Sequence, residues 1–229
     1  VARPEEGGTV YGRFSVEEFR PAEFKVSVNQ RLDDPWGMDV GFAVQMVFVF
    51  IDNAEGGFTT CPPGLNVEFD ESTAWDVCVI LSPQTMARVQ QEIDAKGGAM
   101  AASIIAPTRV KGSRSSITAT VDKDKLGSGD PATWKYQVFM QSNEGFPAGG
   151  DLLTRKVNEF EGQHRFGGGT DFDCDPHVMD ILGDHAQLAQ SLPARAIAEQ
   201  PLMDGLAEQG IGDADDGRFG DAVNVQQAV

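Results

Sequence analysis

The sequence predicts an all-β fold, an antiparallel β-sandwich of the jelly-roll or immunoglobulin-like kind with one or two short helices and a C-terminal extension. Three observations support this prediction. Short apolar stretches with period-two alternation recur at near-regular spacing between residues 24 and 141. The 229 residues include 26 glycines and 12 prolines, which supply many turns. One stretch alone shows a clear helical period.

The predicted strands differ in how many of their faces are apolar. Phe24, Val26 and Val28 alternate with polar residues, as in a strand buried on one face. Residues 42–52 are apolar on both faces, so we expect that strand in the middle of a sheet or beneath a second layer. Further strands are predicted at 75–81, 116–122 and 134–141, and a short hairpin is predicted from 99–107 and 109–111.

An amphipathic helix is predicted at residues 83–96. Met86, Val89 and Ile93 lie three and four residues apart, and two glycines follow Lys96 and end the pattern.

The character of the chain changes along its length, which suggests three parts. We divide it into an N-terminal segment (1–22), a sandwich module (23–182) and a helical and acidic C-terminal extension (183–229). The extension has few apolar residues, so we expect it to contact the sandwich, an identical subunit or a larger complex.

The composition is strongly acidic, with 18 lysines and arginines against 35 aspartates and glutamates and a formal charge of −17. Such a surface repels nucleic acid and anionic lipid, so neither is an expected partner. No run of about 18 apolar residues is present, so we expect no membrane-spanning segment. Because the chain begins at Val1 rather than methionine, we expect a processed and exported product.

Three stretches in order carry a family resemblance: residues 33–52, 63–81 and 134–182. Together they resemble the C-terminal β-sandwich module of glucodextranase, which is also found in pullulanases and prokaryotic surface proteins and is related to family-nine carbohydrate-binding and DOMON-like sandwiches. The N-terminus, P-E-E-G-G, departs from the acidic G-D-D-x-G segment usual in the family. The resemblance implies a non-catalytic module, secreted or at the cell surface or in the periplasm, that binds polysaccharide or a cell-envelope component.

Exposed aromatic rings are the expected carbohydrate-binding residues of such a module. Trp36, in an acidic turn after Asp34-Pro35, is the tryptophan predicted to be exposed, and Phe146 is the second candidate. Trp75 and Trp134 lie in or at the start of apolar strands and are predicted to be core residues.

Two other functions stay open beside carbohydrate binding. An electron-transfer subunit could hold haem b through His164, His177 or His185 with Met100 or Met140 as axial ligands. A structural subunit of a filament, sheath or surface layer could use the extension to join protomers. An enzyme is not expected, because neither G-x-S-x-G nor H-E-x-x-H occurs.

Three aspartates after a triple glycine form the candidate metal site. Asp171, Asp173 and Asp175 occupy alternate positions, and carboxylate oxygens at this spacing can turn inward to calcium. Asp213, Asp215 and Asp216 form a second, looser cluster. The alternative is that these aspartates cap loops, with Asp175 and Pro176 starting a helical turn through Leu182.

The three cysteines, Cys61, Cys78 and Cys174, match no zinc or c-type haem pattern. In an oxidising compartment Cys61 could pair with either of the others. We favour Cys61 with Cys174, because Cys78 is expected to face inward on its strand; three free thiols are the alternative.

Removing calcium should destabilise the protein if the three aspartates bind it. At a calcium concentration about 100 times the Kd, binding stabilises the fold by about 2.7 kcal/mol, and a chelator removes this contribution. Thermal melts in calcium and in EGTA measure the difference, which Asp173→Asn should abolish and Asp122→Asn, in another loop, should not. Equal melting temperatures of the parent protein in both solutions would contradict the calcium prediction.

Overall fold

A computed structural model describes residues 13–17, 22–28, 30–147, 149–154, 164 and 176–182. Most of these residues form two sheets, one of four strands in the order β1-β2-β7-β6 and one of five strands in the order β5-β4-β3-β8-β9. The strands are β1 Arg13–Glu17, β2 Ala22–Ser27, β3 Gln45–Asp52, β4 Val77–Leu81, β5 Ile104–Ile105, β6 Arg109–Ser113, β7 Ser116–Val121, β8 Lys135–Ser142 and β9 Met179–Asp180. All neighbours are antiparallel except β4 and β5, so the predicted all-β sandwich is confirmed.

Alternate side chains of both sheets form the core of the sandwich. Phe24 and Val26 of β2 lie opposite Ala119 and Ile117 of β7, and all four are buried. Across the sandwich they share one apolar cluster with every second residue of β3, namely Val47, Val49 and Ile51. Fully burying a side chain of this size contributes about 1.5–3 kcal/mol, so these positions hold the two sheets together.

A second apolar core covers the outer face of the five-stranded sheet. Phe48 and Phe50 of β3 point into it, together with Val89 and Ile93 of helix α1 (Met86–Lys96). The ring of Phe50 lies 5.3 Å from the ring of Trp75, measured between centroids. Strand β3 is therefore buried on both faces, as its sequence predicts.

Helix α1 is fixed at both ends. Thr85 is its N-cap and accepts a hydrogen bond from the Arg88 backbone N–H at 3.3 Å, so the helix begins three residues later than predicted. The buried Glu92 carboxylate pairs with Lys96 at 2.7 Å and with Arg88 at 2.6 Å. Lys96 Nζ also donates to the Asp151 carbonyl at 2.8 Å, which ties the helix to residues 149–154.

Four 3₁₀ helices complete the described secondary structure: Glu71–Thr73, Gly98–Ser103, Lys123–Lys125 and Pro131–Thr133. The first of them shows how the connections are fixed. Asp70 precedes it, accepts hydrogen bonds from the backbone and hydroxyl of Ser72, and has its pKa lowered by them.

The predicted hairpin at 99–111 is wrong. Gly98–Ser103 is a 3₁₀ helix and β5 runs parallel to β4, whereas β6 lies in the other sheet and pairs with β7. The chain crosses between the sheets at 106–108, where Pro107 offers no N–H to a strand ladder. After β6 a two-residue turn brings β7 beside it, so β6 pairs with β7 rather than with β5.

Two short strands, β1 and β9, lie outside the set predicted from the sequence. Strand β1 lies within the stretch assigned to the N-terminal segment, yet it pairs with β2 over its whole length. Residues 176–182 form no helical turn, because Met179 and Asp180 add strand β9 to the edge of β8, and Val178 and Ile181 are buried.

The preferred cysteine pair is wrong as well. Cys61 and Cys78 are free thiols buried in the outer core, and Cys174 lies outside the described residues. Burial raises the pKa of both described thiols, as expected of cysteines that act as small apolar side chains.

Glu92→Gln should remove part of the acid-dependent stability. The hydrogen bond from Lys96 outweighs burial and holds the pKa of Glu92 below its ordinary value of 4.5. The ionised carboxylate therefore stabilises the fold above pH 4.5, and this contribution is lost as the pH falls through the lowered pKa. At pH 7 the parent should have a higher melting temperature than Glu92→Gln. The difference between the two melting temperatures should narrow below pH 4.5. Glu71→Gln, an exposed glutamate, is the control, and a gap independent of pH would contradict the assignment.

Candidate functional site

Four connections meet at one end of the sandwich, which we call the loop end. They are residues 28–44 between β2 and β3, 82–85 between β4 and α1, Arg114-Ser115 between β6 and β7, and 143–147 after β8. Because Gln45 lies opposite Ser142 and Val47 opposite Leu81, the start of β3 lies beside the ends of β4 and β8.

Two large exposed hydrophobic side chains occur among the described residues, and both lie at the loop end. Trp36 is 43% exposed and Phe146 is 91% exposed, whereas Trp75 and Trp134 are buried. The exposure predicted for Trp36 and the core positions predicted for the other two tryptophans are confirmed. The role of Trp36 and Phe146 in binding stays a prediction.

The turn that carries Trp36 is built by its neighbours. Gly37 adopts a left-handed conformation at φ +64°, which a residue without Cβ enters at no steric cost. The Met38 backbone N–H donates to Asp34 Oδ1 at 2.7 Å, and the Gly37 N–H donates to the Asp34 carbonyl at 3.3 Å. Trp36 therefore lies at the tip of a turn whose backbone groups are bonded within the turn itself.

The base of this loop is bonded to the four-stranded sheet. The Leu32 N–H donates to the Arg114 carbonyl at 2.7 Å, and the Gly112 N–H donates to the Val40 carbonyl at 2.7 Å. The backbone of Gly112 lies close to the side chain of Phe42, because a Cβ added to Gly112 would lie 2.8 Å from a ring carbon of Phe42. These contacts hold both sides of the Trp36 loop.

His164 lies beside Trp36. Their rings meet edge to face with centroids 5.6 Å apart and an angle of 77° between planes. The His164 carbonyl accepts a hydrogen bond from Ser142 Oγ at the end of β8. The sequence suggested His164 as a haem ligand and gave no sign of this contact, since the two residues are far apart in the chain.

The loop that carries Phe146 is attached to the same place. The Asn143 N–H donates to the Val44 carbonyl at 2.6 Å, and Asn143 Nδ2 donates to the Ala43 carbonyl at 3.0 Å. Gln84, before α1, donates to Asn143 Oδ1 at 3.3 Å. The loop that carries Phe146 is thus bonded, through the backbone and side chain of Asn143, to the end of the loop that carries Trp36.

Charged side chains of both signs lie on the connections of the loop end. Arg31, Asp33, Asp39 and Arg114 are exposed, and no described residue forms an ion pair or side-chain hydrogen bond with them. The loop end therefore offers donors and acceptors to a ligand beside two aromatic rings.

Those predicted haem ligands that the structure describes lie apart from one another. Met140 points into the sandwich core, whereas Met100 packs against the outer core on the other face of the five-stranded sheet. His177 Nδ1 lies 2.9 Å from the Gly64 carbonyl, and His185 lies outside the described residues.

The predicted calcium ligands, Asp171, Asp173 and Asp175, and the second cluster, Asp213, Asp215 and Asp216, also lie outside the described residues. Within the described ranges no group of three potential metal ligands occurs. Calcium binding therefore stays a prediction.

One known protein family matches most of the chain. Residues 13–194 match the C-terminal, SLH-like binding module of glucodextranase. The chain belongs to this family. The match confirms the resemblance drawn from residues 33–52, 63–81 and 134–182, and the family is one of binding modules rather than catalytic domains. A search among curated proteins gave no match. No helix in the described ranges has the length and apolar character needed to cross a membrane.

Gly112→Ala should loosen the Trp36 loop. The added methyl group would overlap Phe42, so we expect a loss of about 1–3 kcal/mol, as for other overpacked positions. Thermal melts measure the loss, and acrylamide quenching of tryptophan fluorescence measures the change in exposure. Gly149→Ala is the control, because an added Cβ there meets nothing within 4 Å. Equal melting temperatures of the two variants would contradict the close approach of Gly112 to Phe42.

Proposed function

We propose that this protein is a non-catalytic polysaccharide-binding module whose loop end is the binding site. The observation that carries the proposal is the pair of exposed aromatics, Trp36 and Phe146, at one end of a rigid sandwich. The C–H face of a sugar ring packs on an aromatic ring, while neighbouring polar groups bond the hydroxyls. Membership of a binding-module family supports the same function.

Phe146 has no visible structural role at the loop end, and 43% of the surface of Trp36 is exposed even though its ring contacts His164. A phenylalanine with 91% of its surface in water contributes little to the core, and large exposed aromatics often mark interaction sites. Phe146 follows Gly145, which has φ +82°, a conformation that glycine adopts without steric cost. The hydrogen bonds from the backbone and side chain of Asn143 to Val44 and Ala43 limit the entropy that the loop would lose on binding.

We further infer that the protein acts outside the cytoplasm, at the cell surface, on a polysaccharide or another cell-envelope component. The SLH-like description of the family supports a surface location. The acidic composition suits an exported protein whose partner is not a polyanion. Calcium at Asp171, Asp173 and Asp175 is proposed as a stabilising ion and not as part of the aromatic site.

Replacing Trp36 should abolish most of the binding. Large aromatic anchors at binding sites contribute about 2 kcal/mol or more, so Trp36→Ala should weaken binding about thirtyfold. Phe146→Ala should weaken it less, because that ring is supported by fewer neighbours. A glycan array with the parent protein, followed by calorimetry with dextran and mannan, measures the effect.

Trp36→Tyr is the matched variant, since it keeps a ring at the tip of the turn and should retain part of the affinity. Circular dichroism melts of all variants should overlap with the parent, because Trp36 lies outside both cores. Absence of binding by the parent across the array, or equal affinities of the parent and Trp36→Ala, would refute the proposal.

A further inference from the structure

Arg114 has a backbone conformation that does not suit its residue type. It is the first residue of the two-residue turn between β6 and β7, in which Ser113 lies opposite Ser116. The φ of Arg114 is +56°. Among the described residues, Asn66 and Leu153 are the other non-glycine residues with positive φ. Glycine, asparagine and aspartate are the usual residues at such turn positions, because Cβ crowds the backbone there: glycine has no Cβ, and the side chains of asparagine and aspartate bond the local backbone.

The side chain of Arg114 does not compensate for this strain within the fold. It is exposed, and its guanidinium has no partner among the described residues. The turn contributes to the fold through the Arg114 carbonyl, which accepts from Leu32 N–H at 2.7 Å, and any residue would supply that carbonyl. A strained residue whose side chain adds nothing visible to stability points to a role in binding.

The position of the turn indicates what Arg114 would bind. It is bonded to the base of the Trp36 loop and so lies at the loop end, where the side chains of Asp33 and Asp39 are also exposed and without a described partner. A guanidinium only donates hydrogen bonds and a carboxylate only accepts them. Sugar hydroxyls do both, and can therefore bond arginine and aspartate at one site.

We propose that Arg114 contacts the ligand directly and that the ligand is a neutral polysaccharide. The guanidinium donates to hydroxyl oxygens, while Asp33 and Asp39 accept from hydroxyl groups. An acidic polysaccharide is disfavoured, because its carboxylates would meet these aspartates on a chain of net charge −17. This inference rests on the proposed function and adds a residue and a ligand class to it.

Arg114→Gly separates this role from a structural one, because the two expected effects have opposite signs. Glycine relieves the left-handed strain, so the melting temperature should rise by about 2–4 °C. Loss of a charged hydrogen-bond donor should weaken dextran or mannan binding about tenfold or more in calorimetry. Arg114→Asn, which also tolerates this conformation, should behave in the same way.

Arg109→Gly is the matched control. Arg109 is also exposed but opens β6 at the opposite end of the sheet, so this variant loses the same charge far from the loop end. Its melting temperature should fall and its affinity should stay within about twofold of the parent. If Arg114→Gly also binds within about twofold of the parent while Trp36→Ala does not bind, the role of Arg114 is overturned and the proposed function stands.

Alginate tests the ligand class. The parent should bind dextran or mannan with little dependence on salt and should not bind alginate. Binding of alginate in preference to both neutral polymers, with an affinity that falls as salt rises, would overturn the assignment to neutral polysaccharides.

Discussion

Strand β3 is buried between two apolar layers, and the position of the site depends on this arrangement. Its odd-numbered residues from Val47 pack against the four-stranded sheet, and its even-numbered residues pack beneath helix α1 and the connection 53–76. The central part of the five-stranded sheet therefore has no face open to a ligand. Binding groups can extend from the connections at the two ends, where loops reach water without disturbing either core.

Polar side chains fix connections at both ends of the sandwich. At the end opposite the Trp36 loop, Asn53 Nδ2 donates to the Leu126 carbonyl at 2.6 Å, and Asp76 accepts from two backbone N–H groups at 2.8 Å. Lys135 pairs there with Asp52 at 2.7 Å. These side chains fix connections, as Asp34 and Asn143 do at the loop end, where the side chains of Asp33, Asp39 and Arg114 have no described partner. What distinguishes the loop end is the pair of large exposed aromatics, Trp36 and Phe146, and these favour it as the proposed binding end.

The features of the fold and of the candidate site that could be predicted from the sequence are those set by residues close together in the chain. The alternation in 42–52 and the exposure of Trp36 depend on neighbouring residues, so both were predictable. The partner of β6 depends on which sheet the chain enters after Pro107, and the free thiol of Cys61 depends on packing against distant strands. The sequence gives no sign of the tight turn at Arg114, because Ser-Arg-Ser-Ser (113–116) lacks the glycine or asparagine that marks such a turn.

Rigidity links the fold to the proposed binding. A loop that must order itself on a ligand loses conformational entropy, which reduces its affinity. The Trp36 loop avoids much of this cost, because Leu32 and Val40 are bonded to the hairpin of β6 and β7 and Ala43 is bonded to Asp33 before any ligand arrives. The aromatic and charged groups are then presented at fixed positions by a frame anchored in the sandwich core through Phe42. A strained turn at Arg114 is tolerated in such a frame because the paired strands on either side hold it in place.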